Sequence, residues 1–145
     1  MSEYDACVVD ASVAIKLFIE EPLSEQAHGL FGRLADPSPI RLYAPDLLYI
    51  ECANILWKAV TRWGMPAYDA AVALSQLQQL LLDVTSTADL AGEALALAVA
   101  NHITAYDACY VALARQLGAP LVTADKPLVT AMGAAQPPVV WLGDL

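Results

Sequence analysis

Four acidic residues carry the chemistry open to this sequence. Asp10 follows the apolar run Ala6-Cys7-Val8-Val9, and Glu51 sits among Leu47, Leu48, Ile50 and Ile55. Asp107 opens an otherwise apolar stretch that runs to Ala114, and Asp125 stands just beyond Leu121-Val122-Thr123. Carboxylates crowded together raise one another's pKa, so such a cluster is stable as anions only beside a cation. An all-oxygen donor set, with no His or Cys at metal-ligand spacing, favours Mg²⁺ or Mn²⁺ over zinc. A hard ion of that kind lowers the pKa of a bound water and neutralises phosphoryl charge, which points to phosphodiester hydrolysis.

Each acid also has a structural reading. Thr104 is placed to N-cap a helix with Asp107 in its first turn, a capping-box-like pair that meets the positive end of the helix dipole. Asp125-Lys126-Pro127 reads as a cap followed by a proline in the first turn. Glu51 shares a narrow polar stripe with Asn54 and Lys58, which would serve equally on a solvated face. The functional reading therefore depends on whether the fold brings the four together.

The elements that would position them alternate. Ala6 to Val9 is short, apolar and β-branched, as a strand buried on both faces would be. Ser12 is placed to cap a short helix over Val13 to Phe18, and Ala27, Leu30, Phe31 and Leu34 repeat at helical spacing on the next. Residues 41–44 form a brief strand after Pro37-Ser38-Pro39. Asp46 is expected to N-cap a long helix to about Arg62, ended by Trp63-Gly64-Met65-Pro66. A helix over residues 67–82, a strand over 83–86 and a helix over 90–100 follow, the last capped by Ser86 or Thr87. The Asp107 helix runs from about Ala105 to Leu117 and is closed by Gly118. A strand to Thr123, a short helix from Lys126 to Met132 and a strand at Val139-Val140-Trp141 complete the order. This pattern predicts one α/β domain over residues 1–145, a three-layer α/β/α sandwich around a mainly parallel sheet. In such a sheet the ligand site lies beyond the carboxyl ends of the strands, where Asp10 and Asp125 would both point.

Composition narrows the alternatives. The chain has 145 residues, 58% of them hydrophobic, enough for one sizeable core. Its apolar stretches are broken by Glu51, Asn54, Lys58 and Glu93, so none offers the roughly 18 uncharged residues of a membrane span. The start, Met1-Ser2-Glu3-Tyr4-Asp5, lacks the basic character of a secretory leader, and a cytoplasmic location is expected. Three cysteines, Cys7, Cys52 and Cys109, are odd in number and widely spaced, which fits small buried hydrophobes rather than disulfides. A net charge of −9, from 16 acids against 7 bases, argues against broad attraction to nucleic acid, although acids holding cations would offset it. His28 and His102 are not spaced as a metal or base pair and read as surface or helix-end residues. The Gly-x-Ser-x-Gly elbow, the Walker loop and Gly-x-Gly-x-x-Gly are all absent. A phosphoacceptor receiver domain shares the layout but would need an acidic pair at the first strand.

Four segments together resemble the PIN-domain ribonucleases, and most specifically VapC-type toxins of toxin–antitoxin pairs. They are Val8-Val9-Asp10-Ala11-Ser12-Val13-Ala14-Ile15-Lys16, Pro45-Asp46-Leu47-Leu48-Tyr49-Ile50-Glu51-Cys52-Ala53-Asn54, Thr104-Ala105-Tyr106-Asp107-Ala108-Cys109-Tyr110 and Leu121-Val122-Thr123-Ala124-Asp125. The resemblance implies that Asp10, Glu51, Asp107 and Asp125 form an acidic quartet holding one or two Mg²⁺ or Mn²⁺ ions against an RNA phosphodiester. Ser12, Asn54 and Thr123 match the polar residues beside that quartet. It also implies a homodimer and a cognate antitoxin whose tail covers the pocket, often with a basic residue. Lys16, Lys58, Arg62, Arg115 and Lys126 are the bases available for RNA phosphates, and Tyr106 is a candidate for stacking on a base. The competing class is a non-catalytic PIN-fold module that acts only within an antitoxin and operator complex.

Overall fold

The computed structural model describes residues 4–145. Met1 to Glu3, and with them part of the stretch read as lacking a leader, lie outside the described residues. The elements are β1 Ala6–Val9, α1 Ala11–Ala14, α2 Ser24–Gly32, β2 Arg41–Pro45, α3 Leu47–Trp63, α4 Ala67–Gln79, β3 Asp83–Thr85, α5 Thr87–Asn101, α6 Ala105–Leu117, β4 Leu121–Thr123, α7 Lys126–Met132 and β5 Val139–Trp141. The strands pair in the order β3-β2-β1-β4-β5, every pairing parallel.

Successive strand residues point to opposite faces of a sheet. Cys7, Val8 and Val9 of β1 are nevertheless all buried, as are Leu121, Val122 and Thr123 of β4. Both faces of the sheet centre are therefore covered, which is why these strands are continuous apolar runs rather than alternating ones. Helix α6 packs over β1, β2 and β4, with α5 packed against it, while α7 lies along β4 and β5. The result is the expected α/β/α sandwich. Residues 108–114 of α6 are buried without a break, so this helix is central rather than amphipathic. It ends at Gly118, whose left-handed φ of 65° lets the turn close with little side-chain penalty.

Several local expectations change. Ser12 does not cap the first helix; Asp10 does, its carboxylate accepting from Val13 N, and α1 is a single turn continued by a 3₁₀ segment at Ile15–Leu17. Ser12 is drawn away because its hydroxyl is already bound to Asp10. Asp46 does not cap α3 either. Its own backbone is helical, and its Oδ1 accepts from Thr87 N and Thr87 Oγ1 at 3.0 and 2.9 Å, so it serves the start of α5 instead. Ser86 holds the N-cap position of α5 without a side-chain capping bond. Helix α4 stops at Gln79, short of Leu82, because the backbone turns extended at Leu80.

The three cysteines are free and buried, and burial pushes Cys7 and Cys52 up to about 12 and Cys109 to about 11, as befits unreactive core residues. His28 and His102 are exposed, the latter at the C-cap of α5. Among the described residues no helix is long and apolar enough to cross a membrane.

Candidate functional site

Strand β1 occupies the middle of the sheet, with β2 on one side and β4 on the other. The chain leaves β1 toward β2 and returns much later as β4, so the carboxyl ends of β1 and β4 flank a topological switch point, where open parallel sheets bind ligands. Asp10 and Asp125 leave the two strands at that point. Glu51 arrives from the second turn of α3 and Asp107 from the first turn of α6. All four line one cavity of about 770 Å³.

Asp10 is the most tightly held. Its Oδ1 accepts from Ser12 Oγ at 2.5 Å and from Val13 N at 3.3 Å, and its Oδ2 accepts from Thr123 Oγ1 at 2.5 Å. The hydroxyls are themselves anchored, Ser12 Oγ by Ala124 N at 2.9 Å and Thr123 Oγ1 by Asp125 N at 3.1 Å. The carboxyl ends of β1 and β4 are thus joined through two side-chain hydroxyls. Asp10 is only 5% exposed, and burial pushes its carboxyl up to about 6 despite the three donors, with the nearby Asp107 charge acting in the same direction.

Glu51 lines the same cavity from α3. Its Oε1 accepts a 2.6 Å hydrogen bond from the Tyr110 hydroxyl. Partial burial raises its pKa, and Asp107 raises it further. The same two causes act on Asp107, with Asp125 as the neighbouring charge. Asp107 is therefore the electrostatic centre of the group, coupled to each of the other three. Its backbone N–H donates to Thr104 Oγ1 at 3.1 Å, so the capping interaction and the cavity-lining position coexist.

Among the described residues no three His, Cys, Asp or Glu side chains form a set placed to hold an ion. The acids share a cavity without closing a cage.

The polar residues beside the quartet divide. Ser12 and Thr123 bond Asp10 directly, whereas Asn54 lines the cavity one turn from Glu51 and bonds none of the acids. The polar stripe of Glu51, Asn54 and Lys58 faces this cavity. Of the five bases named from sequence, only Lys58 lines it. Lys16 is buried against Glu21 at 2.8 Å, Arg115 reaches Glu93 at 3.4 Å, and Arg62 and Lys126 lie over the rings of Trp57 and Trp141. Tyr106, 63% exposed, stands at the cavity's edge. Sequence reasoning passed over Tyr110 as a site residue. Its signal was its spacing, one helical turn after Asp107 on the same face of α6.

A doubly covered parallel sheet with an acid-lined crevice at its switch point describes a recognised family, and the PIN domain model matches residues 7–130. The chain belongs to the PIN-domain family. It is 37% identical over 123 residues to Ribonuclease VapC3 of Pyrobaculum aerophilum, covering 83% of this chain and 90% of that protein. A crystal structure of the PAE2754 protein from the same organism superposes with a TM-score of 0.69 at 25% identity, covering 97% of this chain and 85% of the other. A toxin–antitoxin complex from Klebsiella pneumoniae gives a TM-score of 0.60 at 15% identity over 92% of this chain and 99% of its own, a likeness of fold alone.

Proposed function

We propose that this chain, as one PIN-like domain over residues 1–145, is a Mg²⁺- or Mn²⁺-dependent endoribonuclease toxin that hydrolyses RNA phosphodiester bonds. The observation that carries the reading is the convergence of Asp10, Glu51, Asp107 and Asp125 in one cavity at the switch point. Similarity to Ribonuclease VapC3 supports RNA as the substrate.

The donor set fits a hard divalent cation. It is all oxygen, and the raised pKa values of Asp10, Glu51 and Asp107 show carboxylates that an added positive charge would relieve. Asp10, Asp107 and Asp125 would hold the ion directly or through waters. When bound, the ion supplies an acidified water and charge neutralisation on the phosphoryl oxygen. Glu51 would orient that water or accept its proton. Ser12 and Thr123 fix both oxygens of Asp10, and Lys58 and Tyr106 offer a phosphate contact and a stacking surface at the rim.

The Klebsiella complex supports a cognate antitoxin as partner, which would cover this acidic cavity with a basic group. Exposed apolar residues on α3 and α5, among them Trp57, Leu95 and Val99, offer area for a homodimer or for the antitoxin. The cytoplasm is the compartment in which such a toxin meets RNA.

The test is cleavage of RNA with Mg²⁺ or Mn²⁺ by the wild type, by Asp107→Asn and in the presence of a chelator. Chelation should abolish cleavage, and the variant should lose about 10³-fold, or about 4 kcal/mol of transition-state stabilisation. Equal activity in Asp107→Asn would sink the assignment. A wild type that binds antitoxin without cutting RNA would favour the non-catalytic module.

A further inference from the structure

The two best-defined acids of the cavity are held unequally. Asp10 has both oxygens fixed by three donors, but Glu51 has one donor, the Tyr110 hydroxyl at 2.6 Å. Among the described residues Oε2 of Glu51 takes no protein donor, which leaves it as the oxygen free to serve the cavity. A glutamate held only by its backbone on a helix retains rotamer freedom about several bonds, and ordering it costs entropy. Tyr110 removes that freedom. Its ring is 2% exposed, packed in the buried run of α6, so the phenol has little room to swing away. Being one turn beyond Asp107 on the same helix, it also ties the position of Glu51 to that of Asp107.

We propose that Tyr110 is a positioning residue that presents Glu51 to the ion and water of the cavity. The proposal rests on the ribonuclease reading above. Tyr110 lines the cavity beside Glu51, and in this role it acts through the orientation of the carboxylate; misplacement of such a group by about 1 Å is enough to cost up to 10²-fold in rate.

The experiment compares wild type, Tyr110→Phe, Glu51→Gln and the double variant as full-length chains. Phenylalanine keeps the ring and its packing, so circular dichroism should be unchanged. Tyr110→Phe should lower kcat on an RNA oligonucleotide about tenfold with KM within about twofold of wild type, because the loss falls on the chemical step rather than on RNA binding. Calorimetric titration with Mn²⁺ in the absence of RNA should show affinity weakened several-fold. In the Glu51→Gln background the same change should cost less than about twofold, since residues that act as a unit are not additive. An equal loss in both backgrounds overturns the proposal, as does a Tyr110→Phe chain with wild-type rate and Mn²⁺ affinity. If the wild type binds Mn²⁺ but cuts no RNA, the ribonuclease reading fails and the calorimetric difference alone decides the role of Tyr110. If it binds no Mn²⁺, both fall.

Discussion

Asp10 and Asp46 begin from nearly the same place and end in different roles. Each follows the carboxyl end of a parallel strand, β1 and β2 respectively, and each immediately precedes a helix. Asp10 is buried, caps its own helix and faces the cavity through three hydrogen bonds. Asp46 is exposed and gives its carboxylate to Thr87 at the start of α5. The neighbours explain the difference. Beside β1 the late strand β4 returns, bringing Thr123 and Asp125 to the switch point; beside β2 lies β3, which leads only into a helix needing a partner for its first amide. An acid at a strand end thus lines the cavity or caps a neighbouring helix according to which strand is its neighbour.

The largest effect that would sharpen this contrast is electrostatic. Burial lifts the Asp10 carboxyl from an ordinary 3.8 to about 6, so the folded state binds this proton more tightly than the unfolded chain. The stabilising contribution of that proton is present below about pH 4 and is lost as pH rises through about 6. Without divalent ions, urea unfolding of the wild type between pH 4 and pH 7 should lose on the order of 3 kcal/mol more than unfolding of Asp10→Asn. Adding Mg²⁺ or Mn²⁺ at pH 7 should restore part of the difference. A wild type that gains stability relative to Asp10→Asn over this range would show that Asp10 is not held as the structure describes.

A smaller effect is expected from Thr123→Val. It removes a donor to Asp10 and the acceptor of Asp125 N while preserving shape, so metal affinity or cleavage rate should fall about 10- to 100-fold with the fold intact. Mn²⁺ titration of activity reads this directly. Smallest is Asp46→Ala, which should cost about 1 kcal/mol in urea unfolding, as loss of a cap does, and leave RNA cleavage within about twofold of wild type. If Asp46→Ala impaired cleavage as strongly as Thr123→Val, the distinction between site and cap would collapse.

Much of the fold was legible because its signals are local. The unbroken apolar runs at Cys7 to Val9 and Leu121 to Thr123 announce strands covered on both faces, and Gly64 and Gly118 mark helix ends with left-handed φ values of 77° and 65°. The four acids were legible as well, since each interrupts an apolar run that needs no charge. Capping partners were not. Ser12 and Asp46 look like ordinary N-caps in sequence, but residues 111 and 41 positions away in the chain, Thr123 and Thr87, stand in the networks that engage them.

The sequence by itself determined which residues could carry charge into the interior, the alternation of strands and helices, and the family to which the chain belongs, because apolar periodicity, breakers and the spacing of the acids are properties of the linear chain. Only the tertiary structure decided that β1 lies between β2 and β4, that Lys58 alone of the five bases reaches the cavity, and that the Tyr110 hydroxyl donates to Glu51. Those are long-range pairings. They are set by how helices pack on a twisted sheet, and no local propensity encodes which hydroxyl will meet which carboxylate.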